Sequence, residues 1–234
     1  ESNSYTLQVN NAPPVPQLFV NSNQVTAYNI QENDSLTWFY NGIAIVGSNP
    51  LNTLQSGTYS AQISNEFGCI SNSNAVFILH PTFTSNTNTG CPNESITFIN
   101  TTPTFENMTC TLLSGDGNSY NFNEPIDIMY ETSNVYTPVI ECIISGETFS
   151  ATGETIEIYP NPATPILQTQ YGAIICSNCN NQPTSYYMNG QWLGTSSFNF
   201  STYSNGQYLN GYFTAQTENT FGCISNVNDS VLLI

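Results

Sequence analysis

The chain has 234 residues, 39% hydrophobic and 12% aromatic, enough to bury the cores of one to three domains. It carries 16 acidic residues and no Lys or Arg, a formal charge of −16. That balance excludes neutralising phosphates, so it argues against nucleic-acid binding and against adsorption to anionic membranes. It also removes every trypsin-type cleavage site and, for want of an amine, any Lys–Asn isopeptide cross-link.

Charged residues make up only 7% of the chain, against roughly 25% in an average globular protein, so amides and hydroxyls must solvate the surface. Seven cysteines in a strand-rich pattern point to an oxidising exterior. No apolar run approaches the ~20 residues of a membrane span, which predicts no direct membrane insertion. No signal peptide is visible, and the segment reads as mature, internal material.

In chain order, Thr6-Leu7-Gln8-Val9 runs into Pro13-Pro14-Val15-Pro16. Short strands are then predicted over Gln17–Val20, Gln24–Tyr28, Ser35–Tyr40, Ile43–Val46 and Thr58–Ser64, each rich in β-branched or aromatic residues and bounded by Asn, Gly, Ser or Pro. Asn41-Gly42 between two of them is a type I′ hairpin signal, because both central residues must accept positive φ. Phe67-Gly68-Cys69-Ile70-Ser71-Asn72 recurs identically as residues 221–226, and Gly57–Gln62 and Asn41-Gly42 have counterparts in Gly211–Gln216 and Asn189-Gly190. Residues 13–80 and 161–234 therefore read as two copies of one sandwich domain.

Residues 81–160 differ. Their last segment, Thr155-Ile156-Glu157-Ile158, repeats the pattern of Thr6–Val9 149 positions later and again enters a proline-rich stretch, Pro160-Asn161-Pro162-Ala163-Thr164-Pro165. Residues 1–12 accordingly read as the last strand of a preceding domain of the middle type. The prolines favour extended junctions, so a stiff rod of very roughly 30–40 Å per domain is expected.

The two copies resemble the immunoglobulin-like repeats of large secreted surface adhesins and filaments of the Bacteroidetes type. The resemblance rests on Trp38–Gly42, Gly57–Tyr59 and Gly68-Cys69, and on Tyr186–Gly190, Gly211–Phe213 and Gly222-Cys223. The middle segment resembles a PKD-like repeat through Cys91-Pro92-Asn93-Glu94, Gly115-Asp116-Gly117 and Val135-Tyr136, although Leu112-Leu113-Ser114 replaces that family's Trp-x-Phe. The resemblance implies an all-β chain of tandem sandwiches, Ig-like, PKD-like and Ig-like. If both types keep immunoglobulin strand directions, Cys110 and Cys142 lie on neighbouring strands and pair. Cys91 and Cys223 then face each other across the junction, Cys176 and Cys179 pair locally, and Cys69 awaits a Cys91 equivalent in a preceding domain. The alternative is Cys179–Cys223, with Cys91 left for another chain.

Little in the chain supports catalysis. His80 is the single histidine and sits in a junction, no Lys can act as a base, and the acidic pairs Glu154/Glu157 and Glu141/Glu147 lie on strands without an implied cleft. Cys176-Ser177-Asn178-Cys179 has zinc half-site spacing but lacks a second pair. Gly115-Asp116-Gly117-Asn118 offers calcium oxygens or simply a tight turn. Asp34-Ser35-Leu36 and Asp229-Ser230-Val231 match the O-glycan acceptor pattern of secreted Bacteroidetes proteins, marking Ser35 and Ser230. Six Asn-x-Ser/Thr sequons, Asn228 among them, are expected from an Asn-rich composition. Trp38, Tyr40 and Tyr59 suit a core. One of Tyr186 and Tyr187 must face outward, where with Trp192 it could stack on a glycan or a neighbouring chain. The expectation is a non-enzymatic repeat segment of an extracellular structural filament or adhesin, exported by a type IX-like route and assembling with identical chains. The alternative is a carbohydrate-binding or spacer region of a secreted hydrolase.

Overall fold

A computed structural model describes residues 9–21, 23–170, 173–196, 199–201, 203–204, 207–208, 210–228 and 230–233. The chain is all-β and built from tandem immunoglobulin-like sandwiches. No described helix is long and apolar enough to cross a membrane. No sheet among the described residues mixes strands from the stretches 17–78, 83–158 and 167–233. Packing groups the residues into two compact units: 1–81 with 102–108 and 143–151, and 82–101 with 109–142 and 152–234.

The first unit holds β1 (Gln17–Asn21), β2 (Gln24–Tyr28), β3 (Ser35–Tyr40), β4 (Ile43–Ile45), β5 (Leu51–Asn52), β6 (Gly57–Ser64), β7 (Ile70–Asn72) and β8 (Val76–Ile78). One sheet runs β1-β2-β5; in the other β4-β3-β6 is extended by β7 and β8, which both pair with β6. Asn41 and Gly42 turn the β3–β4 hairpin with φ of 48° and 80°. Along β6 burial alternates residue by residue, sending Tyr59, Ala61 and Ile63 inward.

Trp38 lies opposite Ala61 in register and is buried with Val25, Ala27, Leu51 and Ile78. Its indole N–H donates to the Ser48 carbonyl at 3.1 Å, so the ring is buried without stranding its one polar atom. The Asn49 amide pairs with both backbone groups of Ala27, at 2.9 and 2.8 Å, and so acts as one more strand residue beside β2. Tyr59 donates its hydroxyl back to the Gln55 carbonyl at 2.8 Å, the tyrosine corner of immunoglobulin sandwiches. Phe77 on β8 packs edge-on against Phe105 and Phe149, at centroid distances of 5.0 and 6.0 Å, which holds segments 102–108 and 143–151 in this unit.

The middle stretch comprises β9 (Phe83–Ser85), β10 (Thr89–Gly90), β11 (Ser95–Asn100), β12 (Thr109–Leu113), β13 (Ser119–Asn121), β14 (Ile126–Met129), β15 (Asn134–Tyr136), β16 (Val139–Ile144), β17 (Glu147–Thr152) and β18 (Ile156–Ile158). Strands β14-β11-β9 form one sheet, β12 has β13 and β16 as neighbours, and β18 lies between β10 and β15. The β10–β18 pairing is parallel. Tyr136 repeats the tyrosine corner by donating to the Thr132 carbonyl at 2.8 Å. Tyr130 stacks on it at 4.2 Å and donates to the Ser114 carbonyl, and burial raises its phenol well above the ordinary range. Gly115 has φ of 88°, and a Cβ there would come within 2.8 Å of the Thr137 amide nitrogen, so this turn requires glycine.

The last stretch holds β19 (Leu167–Gln170), β20 (Ala173–Cys176), β21 (Thr184–Met188), β22 (Gln191–Ser196), β23 (Asn199–Ser201), β24 (Tyr203–Ser204), β25 (Gln207–Tyr208), β26 (Gly211–Thr217) and β27 (Val231–Leu233). Sheets β19-β20-β23 and β22-β21-β26-β27 reproduce the arrangement of the first copy, with a small β24-β25 ribbon added. Tyr186 takes the place of Trp38, opposite Ala215, and Asn189-Gly190 turns the hairpin at φ of 50° and 82°. Phe213 stands where Tyr59 stands in the first copy and is fully buried, but it has no hydroxyl to form the corner.

Tyr59→Phe removes one part-buried hydrogen bond while keeping the ring, so it is expected to destabilise the first unit by about 1 kcal/mol. Urea unfolding should show this as a lower midpoint at unchanged slope.

Candidate functional site

The features that set this chain apart from a string of independent sandwiches converge on the junction around Tyr159. The parallel pairing of β10 with β18 puts Gly90 opposite Ile158, and the Tyr159 N–H donates to the Gly90 carbonyl at 2.9 Å. Cys91, next in sequence to Gly90, is therefore delivered to the point where the chain leaves the middle sandwich. Its backbone is fixed by Glu94, whose carboxylate accepts from the Cys91 N–H at 2.8 Å, and by Asn93 at a φ of 66°.

The departing segment is then caught from the other side. Asn219 donates its side-chain amide to the Pro160 carbonyl at 2.9 Å, while its oxygen accepts from the backbone of Phe221 (3.0 Å) and Cys223 (2.9 Å). Phe221 stacks flat on Tyr159 at a centroid distance of 4.0 Å and 11° between planes. Cys223 Sγ lies 3.7 Å from the Tyr159 carbonyl oxygen. This scaffold brings Cys223 to Cys91, and the two are joined by a disulfide with a Cα–Cα distance of 5.5 Å. Both sulfurs are buried. Cys110 on β12 is bonded to Cys142 on the neighbouring β16, and Cys176 is bonded to Cys179. The alternative pairing of Cys179 with Cys223 is not formed, and Cys69 is a free, half-exposed thiol.

The Asp116 turn accounts for its own oxygens. Asp116 accepts from the Ser114 hydroxyl, from the Asn118 N–H at 3.0 Å and from the Asn118 side-chain amide at 2.9 Å. Partial burial raises its pKa, but these hydrogen bonds outweigh that effect and hold the carboxyl below its ordinary value. Among the described residues no group of three His, Cys, Asp or Glu side chains gathers as metal ligands. The Cys176–Cys179 bond removes the thiolates that a zinc half-site would need.

His80 is half-buried, donates its backbone N–H to Ser56 Oγ, and has no hydrogen-bond partner at Nε2. Ser35 and Ser230 are both exposed, while Asp229, the neighbour that completes the second acceptor pattern, lies outside the described residues. Asn228 is buried with its oxygen accepting from the Ala215 N–H, so its sequon is inaccessible in the folded state. The segment Thr6–Val9 falls largely outside the described residues, which begin at Val9.

Of the paired tyrosines, Tyr186 is buried and Tyr187 lies on the outer face. Tyr187 is in register with Trp192 on one side and Thr214 on the other, and Trp192 is 64% exposed. Tyr212, two residues from Thr214 and opposite Leu232, is also exposed. The outer face of β22-β21-β26-β27 thus carries a row of aromatic rings. The Asn219 clamp, and its counterpart Asn65, which donates to the Asn11 carbonyl and accepts from the Phe67 and Cys69 N–H groups, have as their only sequence signal an Asn four residues before each Gly-Cys cysteine.

No protein-family model matches the chain, and no curated protein matches it. Solved structures similar to it include an I-band fragment of titin (12% identity, TM-score 0.29, covering 91% of this chain and 95% of that one) and an ICAM-5 ectodomain fragment (11%, 0.36, 97% and 74%). Another is SGBP-B of the Bacteroides ovatus mixed-linkage glucan utilization locus, solved with a mixed-linkage heptasaccharide (14%, 0.25, 94% and 63%). At these scores the likenesses carry no argument about what this chain does, and its fold stands on the sheets and cores described above.

Cys223→Ser is expected to destabilise the second unit by about 2–5 kcal/mol in denaturant unfolding, whereas Ile224→Ala at the exposed next position should stay within about 0.5 kcal/mol. Asp116 has a lowered folded-state pKa, so its stabilisation is present above the ordinary carboxyl value of 3.8 and is lost as pH falls through the folded value. Asp116→Asn should flatten that part of the acid-unfolding curve.

Proposed function

We propose that this chain is a non-enzymatic repeat segment of a large extracellular filament or adhesin of the Bacteroidetes secreted-surface type, exported by a type IX-like route and used to hold surfaces, cells or prey. The observation that carries this reading is the Cys91–Cys223 bond, which ties sandwiches of two different types covalently at their junction. A catalytic or signalling module has no evident need of such a tie. A load-bearing one does, because hydrogen bonds and a stacked ring pair at a junction yield in sequence under force. Three disulfides fit an oxidising environment and so support an extracellular location.

The cation-free surface supports the same reading, since it denies trypsin-like proteases a cleavage site in material exposed outside the cell. Glycans at the exposed Ser35 and Ser230 would add to that protection. Association with identical chains into a fibre would run through the amides and hydroxyls that dominate the surface, against the mutual repulsion of 16 unbalanced acidic residues per chain. Electron microscopy of the native material tests the proposal: a regular fibre supports it, and a monodisperse globular particle overturns it.

The aromatic row of Trp192, Tyr187 and Tyr212 favours a second reading, a carbohydrate-binding or spacer region of a secreted hydrolase. Saccharide binding on a glycan array that is lost in Trp192→Ala would favour that reading over the filament.

The mechanical role makes a quantitative prediction. The disulfide withholds a loop of 132 residues from extension, and the other two bonds are nested within it. Single-molecule pulling should therefore gain about 450 Å of contour length on full reduction, at roughly 3.4 Å per residue. A gain of only about 120 Å, which the Cys110–Cys142 and Cys176–Cys179 loops of 32 and 3 residues release without it, would mean that the junction is not closed by this bond in solution.

A further inference from the structure

Cys69 is placed in its sandwich as Cys223 is placed in the other copy, and the correspondence extends to the segment entering each domain. Cys69 Sγ lies 3.7 Å from the Asn10 carbonyl oxygen, as Cys223 Sγ lies 3.7 Å from that of Tyr159. Asn65 donates its side-chain amide to the Asn11 carbonyl at 2.8 Å, as Asn219 does to Pro160. Asn65 also accepts from the backbone of Phe67 and Cys69, as Asn219 does from Phe221 and Cys223. Residues 10–11 thus pass Cys69 along the path by which residues 159–160 pass Cys223. In the second copy the same hexapeptide has its cysteine bonded to Cys91, and Cys91 arrives there because β10 runs parallel to β18, the strand that leads into Tyr159.

We propose that Cys69 is one half of an interdomain disulfide, and that its partner is the cysteine of a Cys-Pro-Asn-Glu-type turn in a PKD-like sandwich immediately upstream on the same polypeptide. This rests on the tandem-array reading above. The Cys91 of the same chain is already bonded to Cys223, so it cannot serve. The Cys91 of a second copy is likewise bonded to that copy's own Cys223, so it cannot serve either. Bond formation removes two protons and two electrons from two thiols. A disulfide of a thiol oxidoreductase, or glutathione disulfide, accepts them and becomes two thiols. Every junction in which an Ig-like copy follows a PKD-like one then carries a covalent tie of the same design.

The test is mass-spectrometric mapping of non-reduced peptides from the secreted protein, cleaved at aromatic and acidic residues because it has no Lys or Arg. The expected product links the Cys69 peptide to a Cys-Pro peptide other than that of Cys91. A Cys69–Cys69 link between chains, or Cys69 recovered as a free thiol, overturns the proposal. In a second arm, residues 82–154 are repeated directly ahead of Thr6 in the chain running to Ile234. Residues 1–234 alone should titrate at one thiol per chain and the extended chain at none, with Cys69→Ser restoring one in the extended chain. Two free thiols in the extended chain, with the added sandwich folded by circular dichroism, would also overturn it. The filament reading fails separately, at the microscope, since this bond can form in a chain that never assembles.

Discussion

The parallel pairing of β10 with β18 is the contact on which the junction depends. It is only two residue pairs long, Thr89 with Glu157 and Gly90 with Ile158, yet it fixes where Cys91 stands relative to the departing chain. The stacked Tyr159–Phe221 rings, the Asn219 clamp and the buried disulfide all presuppose that placement. Loss of the pairing would leave Cys223 facing a strand end without its partner. A short ladder suffices because the disulfide removes the entropy that would otherwise let it open, and the ladder in turn brings the sulfurs within bonding distance.

The absence of cations shapes how this is achieved. With no Lys or Arg, the described side chains have essentially no ion pairs to draw on, so amides take the positions where charges often sit. Asn65 and Asn219 each bind three backbone groups, Asn49 completes a sheet edge, and Asn41 and Asn189 close hairpins while accepting from Thr58 and Tyr212. Neutral hydrogen bonds of this kind do not weaken with salt as surface ion pairs do, which suits a surface of varying ionic strength.

Much of the fold was legible because its signals are local. Strict alternation along Thr58–Ser64 and the Asn-Gly pairs specify strands and hairpins from neighbouring residues alone. The repeated hexapeptide revealed two copies, and with it the equivalence of Cys69 and Cys223. What stayed hidden depends on distant partners. Nothing near Phe77 announces that Phe105 and Phe149 pack against it. Alternation shows that one of Tyr186 and Tyr187 faces inward, but only the register with Ala215 identifies Tyr186 as the buried one. The Asp116 turn offers the same residues to an ion or to itself, and only the Ser114 and Asn118 hydrogen bonds distinguish the two.

The position of the Cys91–Cys223 disulfide follows from what the junction can bury, unlike that of Cys110–Cys142, which lies within a buried core. Immunoglobulin sandwiches often staple their two sheets through the core, beside a buried Trp. The first copy keeps the Trp but has Ala27 and Ala61 in its core and no such bond, and Trp38, Tyr59, Ile63 and Ile78 fill the interior with apolar surface. Burial of those four side chains supplies several kcal/mol without a cross-link. The junction around Tyr159 has no comparable core, since Tyr159 is only half-buried and Phe221 keeps over half its surface in water. The covalent bond therefore stands where apolar burial is weakest. In this chain a cysteine at the junction stabilises what packing cannot, whereas a cysteine pair in the first core would add a cross-link to a sandwich that its aromatic residues already hold closed.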